Sequence, residues 1–265
     1  MVRWLSVLLL PLLMAASFRT TNFIVTEAPT EAIARQCAER AEQARKDVAK
    51  AWLGRELDHW TEPCPVKVRI TGSLGGGATS FGFSGGRLHG MSMSVEGRLD
   101  KLLSSVLPHE VTHAVFATFF QAPTPRWCDE GAAVCSEDPE ELVRQDKLCR
   151  EILNTPGRAM PLSRLFALRE YPSDVMVLYA EGYCVTSWLI GLRGRNEFLQ
   201  FIVHGRARSW DEAVRVCYGP HVAGLDDVAG LERAWLAHMK ATKPGAAAPV
   251  ASAPVVKTYP GDPSM

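Results

Sequence analysis

The sequence lacks any excess of charge of one sign. Its 265 residues include 29 Lys plus Arg and 29 Asp plus Glu, so the basic surface that nucleic acids and anionic membranes attract is absent, and we expect no nucleic-acid partner. Cysteine is also sparse, because seven thiols are too few for a disulfide scaffold at this length and an odd number cannot all pair within one molecule. The fold must therefore depend on packing, for which 47% hydrophobic residues suffice.

The two ends differ in composition from the rest of the chain. Arg3 precedes an apolar run over about residues 4–16 with small residues near its end, which is typical of a signal peptide at 1–17. The run is shorter than the roughly 20 residues that span a bilayer and contains Pro11. We therefore predict cleavage, no stable membrane span afterwards and export to the periplasm or the exterior, with a membrane-bound signal anchor as the alternative. Residues 242–265, rich in Pro and Ala, are predicted to be a flexible tail.

Hydrophobic periodicity predicts one α+β domain over residues 18–241. Apolar positions at steps of three and four predict a helix at about 30–57, and alternating β-branched residues predict a strand at 65–71. Two further strands are predicted at 79–83 and 88–95, and helices at 99–120, 127–136, 139–153, 161–169, 174–193, 195–203, 209–217 and 227–240. This order describes a small helix and sheet lobe followed by a helical lobe. No accessory domain is evident, and we expect a monomer.

The clearest chemical motif is His109-Glu110-Val111-Thr112-His113, within the predicted helix at 99–120. Histidines four residues apart lie on one face of a helix, so both imidazoles can reach one ion. Glu110 is placed to hold a water beside that ion without binding the ion itself. The flanking residues are apolar, and burial of two imidazoles and a carboxylate without a partner would be costly. The motif therefore predicts a Zn²⁺ site.

A third ligand is expected in the segment Pro125-Arg-Trp-Cys-Asp-Glu-Gly-Ala-Ala. We favour Glu130 over Asp129, because Gly131 lets another backbone approach closely. Two histidines and one glutamate leave the fourth zinc position open, as catalytic zinc requires. A closed structural site that includes Cys128 or Cys135 is the alternative, although both are more typical of core thiols or half of a disulfide.

Together with Leu178-Tyr-Ala-Glu-Gly-Tyr183, these motifs resemble the gluzincin zinc metallopeptidases, particularly the branch related to the aminopeptidases. The resemblance covers about residues 65–205 and is strong at the motifs. It implies a zincin-like fold with the active-site helix between the two lobes, a zinc site completed by Glu130, and a tyrosine that hydrogen-bonds the oxyanion. That tyrosine would be Tyr179, with Tyr183 as the competing position. The resemblance also implies a sheet edge, at Gly76–Phe81, that receives an extended peptide or protein substrate.

The sequence departs from this family in three respects. Sixteen residues separate His113 from Glu130, fewer than is usual in the aminopeptidase branch. Val134 stands where some branches carry an acid beside the zinc ligands, and the Gly-x-Met-Glu-Asn element that recognises a free substrate N-terminus is missing. Aminopeptidase specificity is therefore not expected, whereas the hydrolytic centre is intact.

Three other functions are compatible with the motifs. A non-catalytic zinc-binding protein of the same fold would need neither Glu110 nor Tyr179. A zinc amidase that cleaves a cell-wall amide would use the same residues as a metallopeptidase. A thiol enzyme using Cys128 with His109 or His113 would leave the histidine spacing without a reason. A zinc metallopeptidase with Glu110 as general base is the prediction we favour.

Overall fold

The computed structural model describes residues 16–222, 224–243 and 245. A small sheet near the N-terminus is followed by a helical region, so the predicted α+β class is confirmed. The predicted signal peptide lies outside the described residues except for Ala16 and Ser17. Of the predicted tail, only Thr242, Lys243 and Gly245 are described.

The sheet contains two strands that the sequence analysis missed. The strands are β1 (Phe18–Arg19), β2 (Phe23–Glu27), β3 (Cys64–Ile70), β4 (Gly76–Ser84) and β5 (Arg87–Gly97), in the spatial order β1-β2-β3-β5-β4. β3 is parallel to β2 and to β5, whereas β4 pairs antiparallel with β5 and forms one edge. The missed β1 is only two residues long, whereas β2 carries the aromatic and β-branched run Phe23-Ile-Val-Thr, in which Phe23 and Val25 are fully buried. Burial in the core thus specifies this strand.

The helices agree closely with the predicted periodicity. They are α1 (Glu31–Leu53), α2 (Leu99–Lys101), α3 (Leu107–Phe120), α4 (Arg126–Val134), α5 (Pro139–Asn154), α6 (Leu162–Phe166), α7 (Val175–Ala207), α8 (Trp210–Cys217) and α9 (Val228–Ala241). Thr30 caps the start of α1, where its hydroxyl accepts from the Ile33 N–H, and Gly54, in the left-handed conformation, caps its end, so the helix stops before the predicted residue 57. α6 is also shorter than its predicted range of 161–169.

The predicted helix at 99–120 contains an irregular turn directly before the histidines. Residues Leu102–Val106 form a π-helix between α2 and α3, and the Leu107 N–H donates to the Leu102 carbonyl five residues earlier. Pro108 follows at the start of α3 and has no N–H with which to continue an ordinary α-helical ladder. The wider π-helical turn accommodates Pro108, so the helix continues from α2 into α3.

α7 is the longest helix and lies in the core. Gly194, at φ 81° and ψ 170°, interrupts it, where the sequence analysis placed the boundary between helices 174–193 and 195–203. Among the described residues, α7 alone is long and apolar enough to span a membrane by length and composition, but 67% of its most apolar window is buried in the fold. Burial of this kind is typical of the core helix of a folded domain.

Candidate metal centre

α3 holds the two histidines of the motif one turn apart. The centroids of the His109 and His113 rings lie 5.0 Å from each other. Val111, Val115 and Phe116 are fully buried on the same helix, so packing fixes its orientation. As a result both imidazoles face α4 and are almost completely enclosed, with side-chain exposures of 13% and 10%.

α4 brings Glu130 to the two histidines, as predicted. Its Oε2 lies 3.4 Å from His109 Nε2 and 3.6 Å from His113 Nε2. One ligand atom from each residue lies within 4.8 Å of the other two. The close approach of α4 to α7 depends on Gly131, because a Cβ there would meet the Gly182 carbonyl oxygen at 2.3 Å. His109, His113 and Glu130 therefore form a group that could hold a metal ion.

The electrostatics of this group favour a bound cation. Burial lowers the pKa of both imidazoles, but the carboxylates of Glu130 and Glu137 outweigh it and raise the pKa of His109 well above 6.5. Asp129 and Glu130 likewise raise the pKa of His113 to about 9. Burial raises the pKa of Glu130, yet the two histidines lower it to about 2. A fully enclosed carboxylate thus stays ionised and needs positive charge beside it.

The hydrogen bonding of the two Glu130 carboxylate oxygens indicates whether a metal ion fits among these residues. Its Oε1 accepts a hydrogen bond from the Tyr171 hydroxyl at 2.6 Å, whereas Oε2 is buried and has no hydrogen-bond partner among the described residues. A buried carboxylate oxygen without a donor is costly. Because Oε2 faces two imidazole nitrogens, the donor set matches the nitrogen and carboxylate ligands of a divalent transition metal, and the residues fit such an ion.

Two carboxylates that the sequence analysis did not place here contact the outer nitrogens of the histidines. Glu137 Oε1 lies 2.7 Å from His109 Nδ1, and Asp129 Oδ2 lies 3.0 Å from His113 Nδ1. A carboxylate hydrogen-bonded to Nδ1, as Glu137 is to His109, orients a metal-binding imidazole so that Nε2 points to the ion. Asp129 contacts His113 as an ion pair. The structure thus gives Asp129 a supporting position behind a histidine. Val134, where some branches of the family carry an acid, is apolar, but Glu137 supplies a carboxylate beside His109. No sequence spacing indicated the position of Glu137.

Glu110 points from α3 toward the edge strand β4. The Thr79 hydroxyl lies 2.6 Å from Glu110 Oε2 and 3.1 Å from the Glu110 carbonyl oxygen. A Cβ at Gly77 would lie 2.6 Å from Glu110 Oε1, so glycine is required for the carboxylate to rest against the strand. Glu110 is 4% exposed and lies beside the segment predicted to receive substrate.

The structure separates the two tyrosines that competed for one role. The ring centroid of Tyr179 lies 6.2 Å from that of His109. Tyr183, one helical turn further along α7, instead lines a cavity with Ser187 and Trp188, and neither histidine nor Glu130 lines that cavity. Tyr171, which the sequence analysis did not consider, is a second phenol near the group through its bond to Glu130. Its ring also lies under the guanidinium of Arg126, 4.6 Å away.

The two cysteines near α4 are not part of the group. Cys128 Sγ donates to the Pro125 carbonyl oxygen. Burial and the neighbouring Asp129 raise the pKa of Cys128 well above 9.0, so its thiol is a poor nucleophile. Burial also raises the pKa of Cys135, to about 12. Neither thiol belongs to a metal-binding group among the described residues.

A groove of about 470 Å³ lies on the sheet, lined by Gly76, Gly77 and Ala78 of β4 together with residues of β3 and β5. Neither histidine of the motif lines it, and neither does Glu130. The groove adjoins this group only through β4, which also contacts Glu110.

Comparisons of the chain with protein-family models, curated proteins and solved structures find no match. We therefore infer function from the geometry of the residues themselves.

Proposed function

We propose that the chain is a zinc metallopeptidase with a zincin-like fold. The observation that carries the proposal is the group of His109, His113 and Glu130, with Glu110 held beside it on the same helix as the histidines. A protein that only binds zinc would not need a restrained carboxylate at Glu110, the residue that follows the ligand His109. An open coordination position and an adjacent base are the two requirements of metal-assisted hydrolysis.

Zn²⁺ is the ion we assign to this group, held by His109, His113 and Glu130. When bound, it supplies a Lewis acid that lowers the pKa of water toward 7 and polarises a carbonyl. The Glu137 carboxylate, hydrogen-bonded to His109, would keep that imidazole in the orientation that binding needs, and the Asp129 carboxylate lies against His113.

Glu110 serves as general base and then as general acid. Its carboxylate accepts a proton from the attacking water as the scissile carbonyl is attacked, and it delivers that proton to the leaving nitrogen. Thr79 donates to Oε2, which restrains the carboxylate while Oε1 stays available for the proton. Burial of Glu110 keeps bulk water from competing for that proton.

Tyr179 is the residue we assign to the developing oxyanion, because its ring lies beside His109, whereas Tyr183 lines a cavity that neither histidine lines. Loss of one such donor costs about 3 kcal/mol, so Tyr179→Phe should lower kcat roughly 100-fold. The outer edge of β4 is the surface we assign to an extended peptide, since strand addition would lay its backbone across Glu110. Export through the signal peptide and action as a monomer complete the proposal.

The experiment is hydrolysis of a peptide library by the full chain, compared with Glu110→Gln. The variant should keep its metal and lose cleavage, because an amide in place of the carboxylate cannot accept the proton. Glu62→Gln, at an exposed position, is the matched control and should cleave as the unmodified protein does. Cleavage at full rate by Glu110→Gln would overturn the mechanism. A zinc-loaded protein that hydrolyses cell-wall amides but no peptide would favour the amidase, and one that hydrolyses neither would favour a binding protein.

A further inference from the structure

Two buried cysteines on neighbouring helices contact each other away from the metal centre. Cys149 of α5 is fully buried and Cys184 of α7 is 5% exposed. Cys184 Sγ lies 3.7 Å from Asp146 Oδ1, and Asp146 stands one turn before Cys149 on α5. Burial, followed by a hydrogen bond with Cys149, raises the pKa of the Cys184 thiol. By contrast, Cys128 bonds to the Pro125 carbonyl. All seven cysteines, each within the described residues, are free thiols in this structure.

Cys184 is also the member of the pair that a small reagent can reach. It lines a cavity of about 170 Å³ together with Tyr183, Trp188 and His238. Cys149 lies behind it and does not line this cavity. The arrangement resembles an accessible attacking thiol with a resolving thiol next to it, which is what thiol–disulfide exchange requires.

We propose that Cys149 and Cys184 form a disulfide when the protein meets a small-molecule disulfide such as oxidised glutathione. The Cys184 thiolate attacks one glutathione sulfur, so a mixed disulfide forms and one glutathione thiolate leaves. The Cys149 sulfur then attacks Cys184 Sγ, and the second glutathione leaves. The two protons of the protein thiols pass to the two glutathione thiolates, and two electrons reduce the reagent. In an oxidising compartment the bond would persist.

This bond would restrain the segment that carries both phenols of the metal centre. The loop between residues 149 and 184 contains α6, Tyr171 and Tyr179, and a cross-link at its ends removes conformations from the unfolded chain. For a loop of this length and a chain of this size, we expect Tm to rise on the order of 10 °C. The proposal concerns the fold and does not depend on the chain being a peptidase.

The experiment starts from the full chain purified with all thiols reduced. After incubation with oxidised glutathione at mildly alkaline pH, free thiols are alkylated, and intact mass and a non-reducing peptide map are recorded. Burial and the nearby Cys149 raise the pKa of Cys184, so the reaction needs hours. We expect a loss of about 2 Da, one linked peptide pair containing both cysteines, five alkylated thiols and the higher Tm. Reduction should return Tm to its starting value.

Two variants give the matched comparison. Cys149→Ser should form no intramolecular bond and should retain glutathione on Cys184. Cys217→Ser, which removes a buried thiol beside Glu197 on another helix, should form the bond as the unmodified protein does. The map of the unmodified protein decides the question even if either variant fails to fold. Full alkylation of both cysteines, a glutathione adduct that never resolves, or a different linked pair would overturn the proposal.

Discussion

Glu181→Gln should remove a large part of the pH dependence of stability. The Glu181 side chain is fully buried in α7, where the Met160 N–H donates to Oε1 and Oε2 has no hydrogen-bond partner among the described residues. Burial is the main cause that raises its pKa to about 8; the Met160 N–H opposes the shift and Glu232 adds to it. The carboxyl is therefore protonated in the folded protein at neutral pH, whereas in the unfolded chain it ionises near 4.5.

The sign and size of the effect follow from this difference. Glu181 stabilises the fold fully below pH 4.5, and that contribution falls as pH rises toward 8, because only the unfolded chain releases the proton in this window. Each pH unit is worth about 1.4 kcal/mol, so the loss between pH 5.5 and 8 is about 3 kcal/mol. The amide of the variant cannot ionise, so Glu181→Gln should not show this loss.

The assay is urea unfolding of the unmodified protein and of Glu181→Gln at several pH values between 5.5 and 8. The difference in free energy of unfolding between the two should shift in favour of the variant by about 3 kcal/mol across the range. Because only the change of this difference with pH is interpreted, an effect of the substitution on packing that is the same at every pH cancels. Glu62→Gln is the exposed control and should give a nearly constant difference. A constant difference for Glu181→Gln as well would refute the reasoning.

Three further predictions concern the site and its supports. Gly77→Ala should displace the Glu110 carboxylate and lower peptide hydrolysis at least tenfold while metal content is unchanged, whereas Gly76→Ala, where a Cβ meets no atom within 4 Å, should have little effect on kinetics. Glu137→Gln should weaken zinc affinity about 10- to 100-fold in a competition titration, because His109 loses its charged partner. Gly131→Ala should lower the free energy of unfolding in urea by about 1–3 kcal/mol, because the added methyl group forces the backbones of α4 and α7 apart.

The parts of the site that lie on single helices could be predicted from the sequence. His109 and His113 share one helix turn, so their spacing alone places them together. Glu130 required a second inference, from Gly131 and the apolar residues that follow it, and the structure brings it to both histidines. The predicted boundary between helices 174–193 and 195–203 also coincides with the break in α7 at Gly194.

The parts that depend on contacts between distant segments could not be predicted. Tyr171 reaches Glu130 from a loop 41 residues further along the chain, and the Thr79 hydroxyl reaches Glu110 across 31 residues. Neither has a local pattern, because a loop phenol or a strand hydroxyl is common in any sequence. β2, by contrast, does carry a local strand signal in its aromatic and β-branched residues, with Phe23 and Val25 buried and Ile24 and Thr26 less so.

The most direct test of the account is the zinc content of the purified chain, measured by elemental analysis beside His109→Ala and a control, His221→Ala, at a histidine outside the metal-binding group. We expect about one zinc per chain for the unmodified protein and for the control, and almost none for His109→Ala. Absence of zinc from the unmodified protein after incubation with the metal, or full zinc in His109→Ala, would contradict it.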